Sequence, residues 1–448
     1  MTERTQLQRE ATGFFHGRGL AELGAALRAG RTSAVELAEA ALESVDRLDG
    51  ELNAFVSVDR DGALRAARAA DADLAGGRDR GPLHGIPVGV KDIIDVAGAV
   101  TTMGSAHFAA HVSTSDAECV RRLRDGGAVP LGKTTTHEFA FGPTGDSAHN
   151  GPAHNPHRLD RMTGGSSAGS GAAVAAGLVP VALGTDTGGS VRIPAALCGI
   201  TGFKPAYGAI PTGGVFPLST SLDHVGVLTA DPADARLAYR VLAGLRPEPD
   251  REHGAHARIG WIPPDLLHPT DPQVTSTVRE ALAGEDLREL RPREITAVQR
   301  GFTAVQFSEA YAVHAERVAE APQHYTDDVL AQLRRAAETA GWEYVRGLAD
   351  RETWRAVVAE LLDEVEILAL PTTCVPAPAI GQREVEIGGA RKPVRLALIG
   401  LTRPFNLAGA PAVSVPAGTV GGLPVGLQLV GRPGHEDRLL AVAGRLGA

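Results

Sequence analysis

Hydrophobic positions recur with two different periods along the first half of the chain. Helical spacing follows two capping boxes, Ser33 with Glu36 and Ser115 with Glu118, while short unbroken apolar runs are typical of buried strands. The elements predicted in this half are, in order, helix 34–48, helix 63–75, strand 86–90, helix 115–126, strand 129–131, helix 172–176 and strand 179–183. Helices that alternate with buried strands predict an α/β fold with a mostly parallel sheet.

The second half of the chain leaves this pattern and then returns to it. Residues 231–365 are rich in helix signals, among them the N-cap pair Asp271 and Pro272, and residues 247–256 are the most linker-like. Three later apolar runs predict further strands, at 366–370, 412–415 and 425–430. The chain is therefore expected to leave the sheet for a helical excursion and to rejoin it afterwards.

We therefore expect one large domain over residues 1–448, a large mixed, mostly parallel sheet flanked on both faces by helices. Its core would comprise roughly residues 70–230 and 366–448, and residues 231–365 would form a variable helical region. No internal repeat interrupts this organisation.

Composition and charge narrow the classes of function. The net charge of -9 gives no support to a nucleic-acid or anionic-membrane surface, and the 3 cysteines, odd in number and far apart, favour neither a disulfide framework nor a metal site. The first ten residues carry charges and no apolar leader, and no run approaches the ~20 apolar residues of a membrane span. These features predict a soluble cytoplasmic protein without nucleic-acid or membrane partners.

Two glycine-rich segments carry the candidate chemistry, at residues 163–171 and 184–194. Glycine lets backbone N–H groups converge on one point, so a serine such as Ser190 would have its hydroxyl beside an oxyanion hole. Neither segment has the spacing of a P-loop or of a dinucleotide fingerprint, so an acyl-transfer site is favoured over a phosphate cradle.

A serine nucleophile needs a base, and the two segments contain no histidine. His84 lies close to Lys91 along the chain, but its spacing does not tie it to Ser190. Lys91 ends a predicted buried strand, where burial disfavours the ammonium and lets a neutral amine accept a proton. Lys91 is therefore the better candidate, although a lone lysine here would more often be an ion-pair partner of Asp92 or Asp95.

Five histidines are candidate metal ligands: His107, His111, His149, His154 and His157. No carboxylate spacing supports a site among them, so we interpret them as solvated loop residues and expect neither a metal nor a cofactor.

The two segments, taken with the rest of the chain, resemble the amidase signature family of serine hydrolases. The resemblance covers nearly the whole chain through motifs at 83–87, 90–92, 131–133, 164–171, 184–194, 198–205, 221–226, 404–406, 409–411 and 422–428. One departure is Ala168, where the family usually has Gly or Ser. The resemblance implies the amidase-signature fold.

The resemblance also implies a catalytic triad. Lys91 would be the base, Ser166 would relay the proton after a cis peptide bond, and Ser190 would be the nucleophile. The implied oxyanion donors are the backbone N–H groups of Thr187, Gly188, Gly189 and Ser190. The implied loop supports are Ser167, Asp186 and Arg192.

Two substrate-pocket residues are implied less directly. Phe141 would line the acyl pocket by its family position, with an ordinary core aromatic as the alternative. Arg317, on a predicted helix, could anchor a substrate carboxylate as arginines do in some relatives that act on small acidic amides. A solvated arginine is the favoured interpretation of Arg317.

The function implied is hydrolysis of a small-molecule carboxamide by water through a Ser190 acyl-enzyme, in a stand-alone amidase. One alternative is the amidase subunit of a tRNA-dependent amidotransferase, in which a Gln commonly follows the arginine of the nucleophile motif. Ile193 follows Arg192 here, which favours the stand-alone enzyme. Two further possibilities are an acyltransferase in which an amine replaces water, and an inactive binding protein. A homodimer is expected from the resemblance only, and the sequence does not identify the amide.

Overall fold

The computed structural model describes residues 12–245 and 256–447. The linker-like stretch predicted at 247–256 lies outside the described residues except for its last residue. The first ten residues, on which the expected lack of a leader depends, also lie outside them.

Helices and strands alternate over most of the described chain. The strands are β1 (Phe55–Val58), β2 (Pro87–Lys91), β3 (Val129–Thr134), β4 (His154–Asn155), β5 (Arg158–Met162), β6 (Val181–Thr185), β7 (Thr201–Lys204), β8 (Val225–Thr229), β9 (Ile259–Trp261), β10 (Leu287–Glu289), β11 (Ile367–Pro371), β12 (Glu384–Ile387), β13 (Ala390–Pro393), β14 (Ala412–Val420) and β15 (Leu423–Val430). The α-helices are α1 (Leu20–Arg28), α2 (Ala34–Leu52), α3 (Arg60–Ala75), α4 (Glu118–Asp125), α5 (Ala168–Ala175), α6 (Arg192–Cys198), α7 (Pro232–Leu242), α8 (Pro272–Glu280), α9 (Ile295–Glu320), α10 (Asp327–Ala336), α11 (Gly341–Glu364), α12 (Val394–Ile399), α13 (Arg403–Leu407) and α14 (Glu436–Leu446). Short 3₁₀ turns occur at Ala106–Phe108, Glu138–Ala140, Pro264–Leu266 and Pro322–His324.

Within the described residues, one 11-stranded sheet has the strand order β1-β3-β2-β6-β8-β7-β14-β15-β11-β9-β10. The sheet is mixed, as predicted. Its parallel pairs form two blocks, β3-β2-β6 and β11-β9-β10, and the strands between these blocks pair antiparallel. Parallel pairs are therefore not in the majority, because the central strands β8, β7, β14 and β15 reverse direction one after another.

The predicted elements of the first half are present with small shifts in their ends. The first capping box is confirmed, since Ser33 Oγ accepts from the Glu36 N–H at 3.1 Å and the Glu36 carboxylate accepts from the Ser33 N–H at 2.8 Å. The box predicted at Ser115 is wrong, because α4 begins only at Glu118. The N–H of Glu118 bonds to the carbonyl of Gly213 at 3.0 Å, so a backbone carbonyl from a distant loop accepts from the first turn of α4 in place of a capping side chain.

The region 231–365 is helical in most of its length, as expected, but it also contributes two strands to the main sheet. These strands, β9 and β10, run parallel to β11 and are each three residues long. The long helices α9 and α11 pack together where Gly301 and Gly347 allow close approach. Trp354 on α11 donates its indole N–H to the carbonyl of Pro404 at 2.8 Å, which ties this region to the C-terminal part of the chain. The division into a core and a variable region stays a prediction.

No helix among the described residues is long and apolar enough to cross a membrane. The three cysteines are free and buried.

Candidate active site

The candidate site forms where two neighbouring parallel strands end. Lys91 is the last residue of β2 and Thr185 the last residue of β6, and these strands pair in parallel. Because the carboxyl ends of parallel strands meet at one edge of a sheet, the loop that follows β6 starts beside Lys91. This loop, residues 186–191, is called the nucleophile loop below.

Lys91 is fully buried and contacts two hydroxyl groups. Its Nζ donates to Ser166 Oγ at 2.6 Å and to Thr185 Oγ1 at 2.7 Å. Burial lowers the pKa of Lys91 to about 7, although the charges of Asp186 and Asp223 oppose that shift. A neutral amine is therefore available near neutral pH, in hydrogen-bond contact with a serine.

Ser166 contacts Lys91 and belongs to a segment that touches the nucleophile loop. The peptide bond from Gly165 to Ser166 is cis, as the family resemblance implies. The Ser167 N–H donates to the Ser190 carbonyl at 3.2 Å, so the backbones of the two serine segments touch. Ser190 is 7% exposed, while Ser166 is fully buried. No hydrogen bond joins the Ser166 and Ser190 hydroxyls among the described residues.

The predicted oxyanion donors differ in their availability. The N–H of Gly189 donates to Asp186 Oδ1 at 2.8 Å, so this donor is already used. The N–H groups of Thr187, Gly188 and Ser190 have no acceptor within the described part of the chain. These three donors, and not the full predicted set, are free to bind an oxyanion in this structure.

A buried ion pair holds the nucleophile loop. Arg192 bonds to both carboxylate oxygens of Asp186 at 2.9 Å, and it also donates to Gln428 Oε1 at 2.5 Å and to Asn406 Oδ1 at 2.7 Å. Burial would raise the pKa of the Asp186 carboxyl, but Arg192 holds that pKa well below its usual range. The carboxylate thus stays charged and keeps its bonds to the Gly189 and Val191 N–H groups.

Two further groups complete this support. Thr402 Oγ1 donates to the Gly188 carbonyl at 2.6 Å, and Ser167 Oγ donates to the Thr185 carbonyl at 3.2 Å. Ser167 was predicted from the sequence, whereas Thr402, Asn406 and Gln428 were not. Asn406 and Gln428 stand inside the motifs at 404–406 and 422–428, which is the signal that could have identified them.

A cavity of about 380 Å³ lies beside these loops. Its wall includes Phe302, whose ring lies 2.9 Å from where a Cβ on Gly188 would stand, and Pro143, whose carbonyl accepts from the Gly165 N–H at 2.7 Å. The charged residues that line it are Asp328, Arg335, Arg383, Arg395 and Arg403. Two residues of its wall, Pro143 and Phe302, therefore adjoin the two serine segments, and the cavity carries an excess of positive charge.

The two predicted pocket residues lie outside this wall. Phe141 is buried behind it, with its ring 5.9 Å from that of Phe307 and 5.2 Å from the Arg395 guanidinium. Arg317 is half-buried elsewhere, over the rings of Phe108 at 5.1 Å and Phe216 at 5.8 Å. Arg317 does not line this cavity, and both its proposed role and its interpretation as a solvated arginine stay predictions.

The candidate metal ligands give no site. Within residues 12–245 and 256–447, no three His, Cys, Asp or Glu side chains are grouped so that they could hold a metal ion.

The comparison with protein families assigns the chain to a class. The Amidase family model matches residues 36–440, which is most of the chain. The chain belongs to the amidase family, and the predicted enzyme class, a hydrolase of C–N amide bonds, is confirmed.

Curated relatives cover nearly the full length. The A subunit of a glutamyl-tRNA(Gln) amidotransferase from Aromatoleum aromaticum is 38% identical over 95% of this chain and 96% of its own. AtzE, a subunit of 1-carboxybiuret hydrolase from Pseudomonas sp., is 35% identical over 92% of this chain and 94% of its own.

Solved structures confirm the fold class. A structure described as a crystal structure of amidase matches with a TM-score of 0.90 at 36% identity, covering 96% of this chain and 99% of that one. The peptide amidase from Stenotrophomonas maltophilia matches with a TM-score of 0.78 at 30% identity, covering 96% of each chain.

Proposed function

We propose that the chain hydrolyses a carboxamide through an acyl-enzyme on Ser190, with Ser166 and Lys91 as its proton relay. The observation that carries this proposal is the contact of 2.6 Å between Lys91 Nζ and Ser166 Oγ at a lysine whose pKa is lowered to about 7. A lysine with its ordinary pKa would be charged at neutral pH and could not accept a proton.

The reaction proceeds in two halves. Neutral Lys91 takes the proton of Ser166, Ser166 takes the proton of Ser190, and Ser190 Oγ bonds to the amide carbon. The free N–H groups of Thr187, Gly188 and Ser190 stabilise the charge that develops on the carbonyl oxygen. The relay then protonates the leaving nitrogen, and the C–N bond breaks.

The second half releases the acid. Water gives a proton to the relay and attacks the Ser190 ester, and the Ser190 oxygen recovers its proton as the ester bond breaks. Lys91 ends neutral, as it began, and the net reaction converts an amide and water into an acid and an amine. Hydroxylamine added to the reaction distinguishes an acyltransferase, which would form more hydroxamate than acid at matched acceptor activity.

Labelling tests the nucleophile. A fluorophosphonate is expected to add to Ser190 of the wild type, as seen by intact mass and peptide mapping, and not to the Ser190→Ala variant. That variant should lose at least about 10⁴-fold in kcat/KM on a panel of amides. The matched control is Ser170→Ala, because Ser170 is a buried serine whose Oγ bonds to Thr134 and to the Leu183 carbonyl. Full turnover by Ser190→Ala would exclude this mechanism.

A second candidate shares this chemistry but differs in the fate of the ammonia. Several A subunits of glutamyl-tRNA(Gln) amidotransferases are similar to this chain over nearly its whole length. This similarity supports the role of an amidotransferase subunit more strongly than that of a stand-alone enzyme. Ile193 remains the observation that favours the stand-alone form. These relatives are subunits of enzymes named for glutamyl-tRNA(Gln), so they do not support the expectation that no nucleic acid takes part.

An assay with and without partners separates the two candidates. The purified chain alone is mixed with glutamine, asparagine and simple amides, and ammonia release is measured before and after the other amidotransferase subunits are added. Turnover by the chain alone supports a stand-alone amidase. Turnover that needs the partners and a charged tRNA supports the role of a subunit.

A further inference from the structure

Arg403 is a buried charged residue near the nucleophile loop, and its guanidinium is not fully hydrogen-bonded. It is 7% exposed, lines the cavity described above, and its Nε has no hydrogen-bond partner among the described residues. It directly follows Thr402, which bonds to the Gly188 carbonyl. Its guanidinium lies 5.8 Å from the centre of the Phe302 ring, a contact that offsets only part of the cost of burying a charge.

No anion in the described residues neutralises Arg403. Burial lowers the pKa of Arg403, and Cys374 opposes that shift. Burial in turn raises the pKa of the Cys374 thiol to about 12, so this thiol is neutral and cannot serve as a counterion. A guanidinium stays protonated even when buried, so Arg403 carries an uncompensated charge.

The other charges of the cavity strengthen this excess. Burial lowers the pKa of Arg395 to about 10, and the neighbouring Arg335 and Arg403 act in the same direction while Asp328 opposes them. Arg383 already binds Asp146 at 2.7 Å. Asp328 is thus the single carboxylate among the described residues that line the cavity, against four guanidinium groups.

Buried unpaired charges are costly and are found paired or bound to a ligand. We propose that Arg403, with Arg395 beside it, binds the carboxylate of the substrate, so that the enzyme acts on the monoamide of a small dicarboxylic acid. This inference rests on the proposed function, because it places the scissile amide at Ser190 and the carboxylate in the cavity. The volume of about 380 Å³ suits a ligand of this size.

The same geometry selects against close analogues. A neutral end group leaves Arg403 without an anion, and an ammonium beside the carboxylate adds a positive charge to an already positive cavity. A planar carboxylate matches the guanidinium fork with two parallel hydrogen bonds, which a carboxamide cannot do.

Binding in a background without catalysis tests the inference. In the Ser190→Ala protein, calorimetry measures the Kd of malonamate, succinamate and glutaramate, each against its neutral diamide. We expect the best carboxylate of the series to bind at least about tenfold more tightly than its diamide. The added change Arg403→Met should weaken that carboxylate about 10- to 100-fold and leave the diamide within about threefold.

Two controls accompany this change. Arg403→Lys keeps the positive charge without the planar guanidinium. Its Kd for the carboxylate should lie between that of the Ser190→Ala parent and that of the protein with Arg403→Met. Arg391→Met removes an arginine whose side chain is 83% exposed on the β12–β13 hairpin, and it should change neither Kd. Equal binding of carboxylate and diamide by the Ser190→Ala parent would overturn the inference. This comparison does not depend on whether the Arg403→Met variant folds.

The two proposals fail in different ways. A wild type that turns over no amide and takes no fluorophosphonate label contradicts the proposed function, whatever the Ser190→Ala protein binds. A wild type that hydrolyses neutral amides as well as monoamides, with no effect of Arg403→Met, contradicts only the carboxylate site.

Discussion

Two lysines on adjacent strands of the sheet, Lys91 on β2 and Lys133 on β3, show how differently one fold uses a buried amine. Both are at most 1% exposed, and burial lowers the pKa of Lys91 to about 7 and that of Lys133 to about 8. In the parallel register Lys91 stands opposite Thr134 and Lys133 opposite Val90. Since neighbours along a strand alternate, the two side chains point to opposite faces.

The surroundings on these two faces differ. Lys91 meets the hydroxyls of Ser166 and Thr185, and no carboxylate of the described chain contacts it. Lys133 lies 3.9 Å from the Asp92 carboxylate and donates to the Ile94 carbonyl and to Thr101. A lowered pKa alone therefore does not define a base, because only Lys91 of the two adjoins a hydroxyl beside the nucleophile loop.

The sharpest test of this contrast is Lys91→Met. Without the amine, Ser166 has no proton acceptor, so kcat/KM should fall by about 10³- to 10⁴-fold. Steady-state kinetics on the preferred amide measures the loss, and thermal unfolding checks that the fold persists. A residual activity above a tenth of the wild type would remove Lys91 from the proposed mechanism.

Lys133→Met should act on stability instead. It leaves the buried Asp92 carboxylate without its cation, which is expected to lower the free energy of unfolding by about 3–5 kcal/mol. The folded fraction should keep its kcat/KM within about tenfold. Denaturant unfolding provides the measurement. The double variant Lys133→Met with Asp92→Asn is the control, since removal of the carboxylate charge should restore part of the loss.

The pH profile gives a smaller and finer test. Proton acceptance needs the neutral form of Lys91, so kcat/KM should rise with pH through about 7 and be lost below it. In Thr185→Val, Lys91 loses a hydrogen bond that favours its charged form, so its pKa and the acid limb should shift down by about half to one pH unit. Thr185→Ser keeps the hydroxyl and should leave the limb in place. An upward shift in Thr185→Val would contradict the assignment.

The fold could be predicted where the signal was local. The apolar runs at 86–90 and 179–183 predicted strands that overlap β2 and β6, and α2 has a complete capping box. β9 and β10 were missed because three residues show no periodicity, and only pairing with β11 makes them strands. The start of α4 depends on Gly213, which no local pattern can indicate.

The site residues also divide into those that a sequence motif indicates and those that only the folded structure shows. The family resemblance implies that Lys91, Ser166 and Ser190 form one triad, and the structure brings Lys91 into contact with Ser166. The use of the Gly189 N–H by Asp186 and the role of Thr185 as a second partner of Lys91 depend on three-dimensional geometry, so the sequence could not predict them. Arg403 carried no motif signal, because its burial without an acceptor is a property of the folded cavity.

The support of Arg192 has a consequence for the order in which the protein is made. The proposed catalytic residues all lie before residue 191, but the partners of Arg192 at Asn406 and Gln428 are synthesised more than 200 residues later. A ribosome-bound chain from which Ser190 has just emerged carries the proposed catalytic side chains. It still lacks the groups that hold the nucleophile loop in place. Hydrolysis should therefore begin only after the last strand, β15, has joined the sheet, so that a truncated translation product is inert.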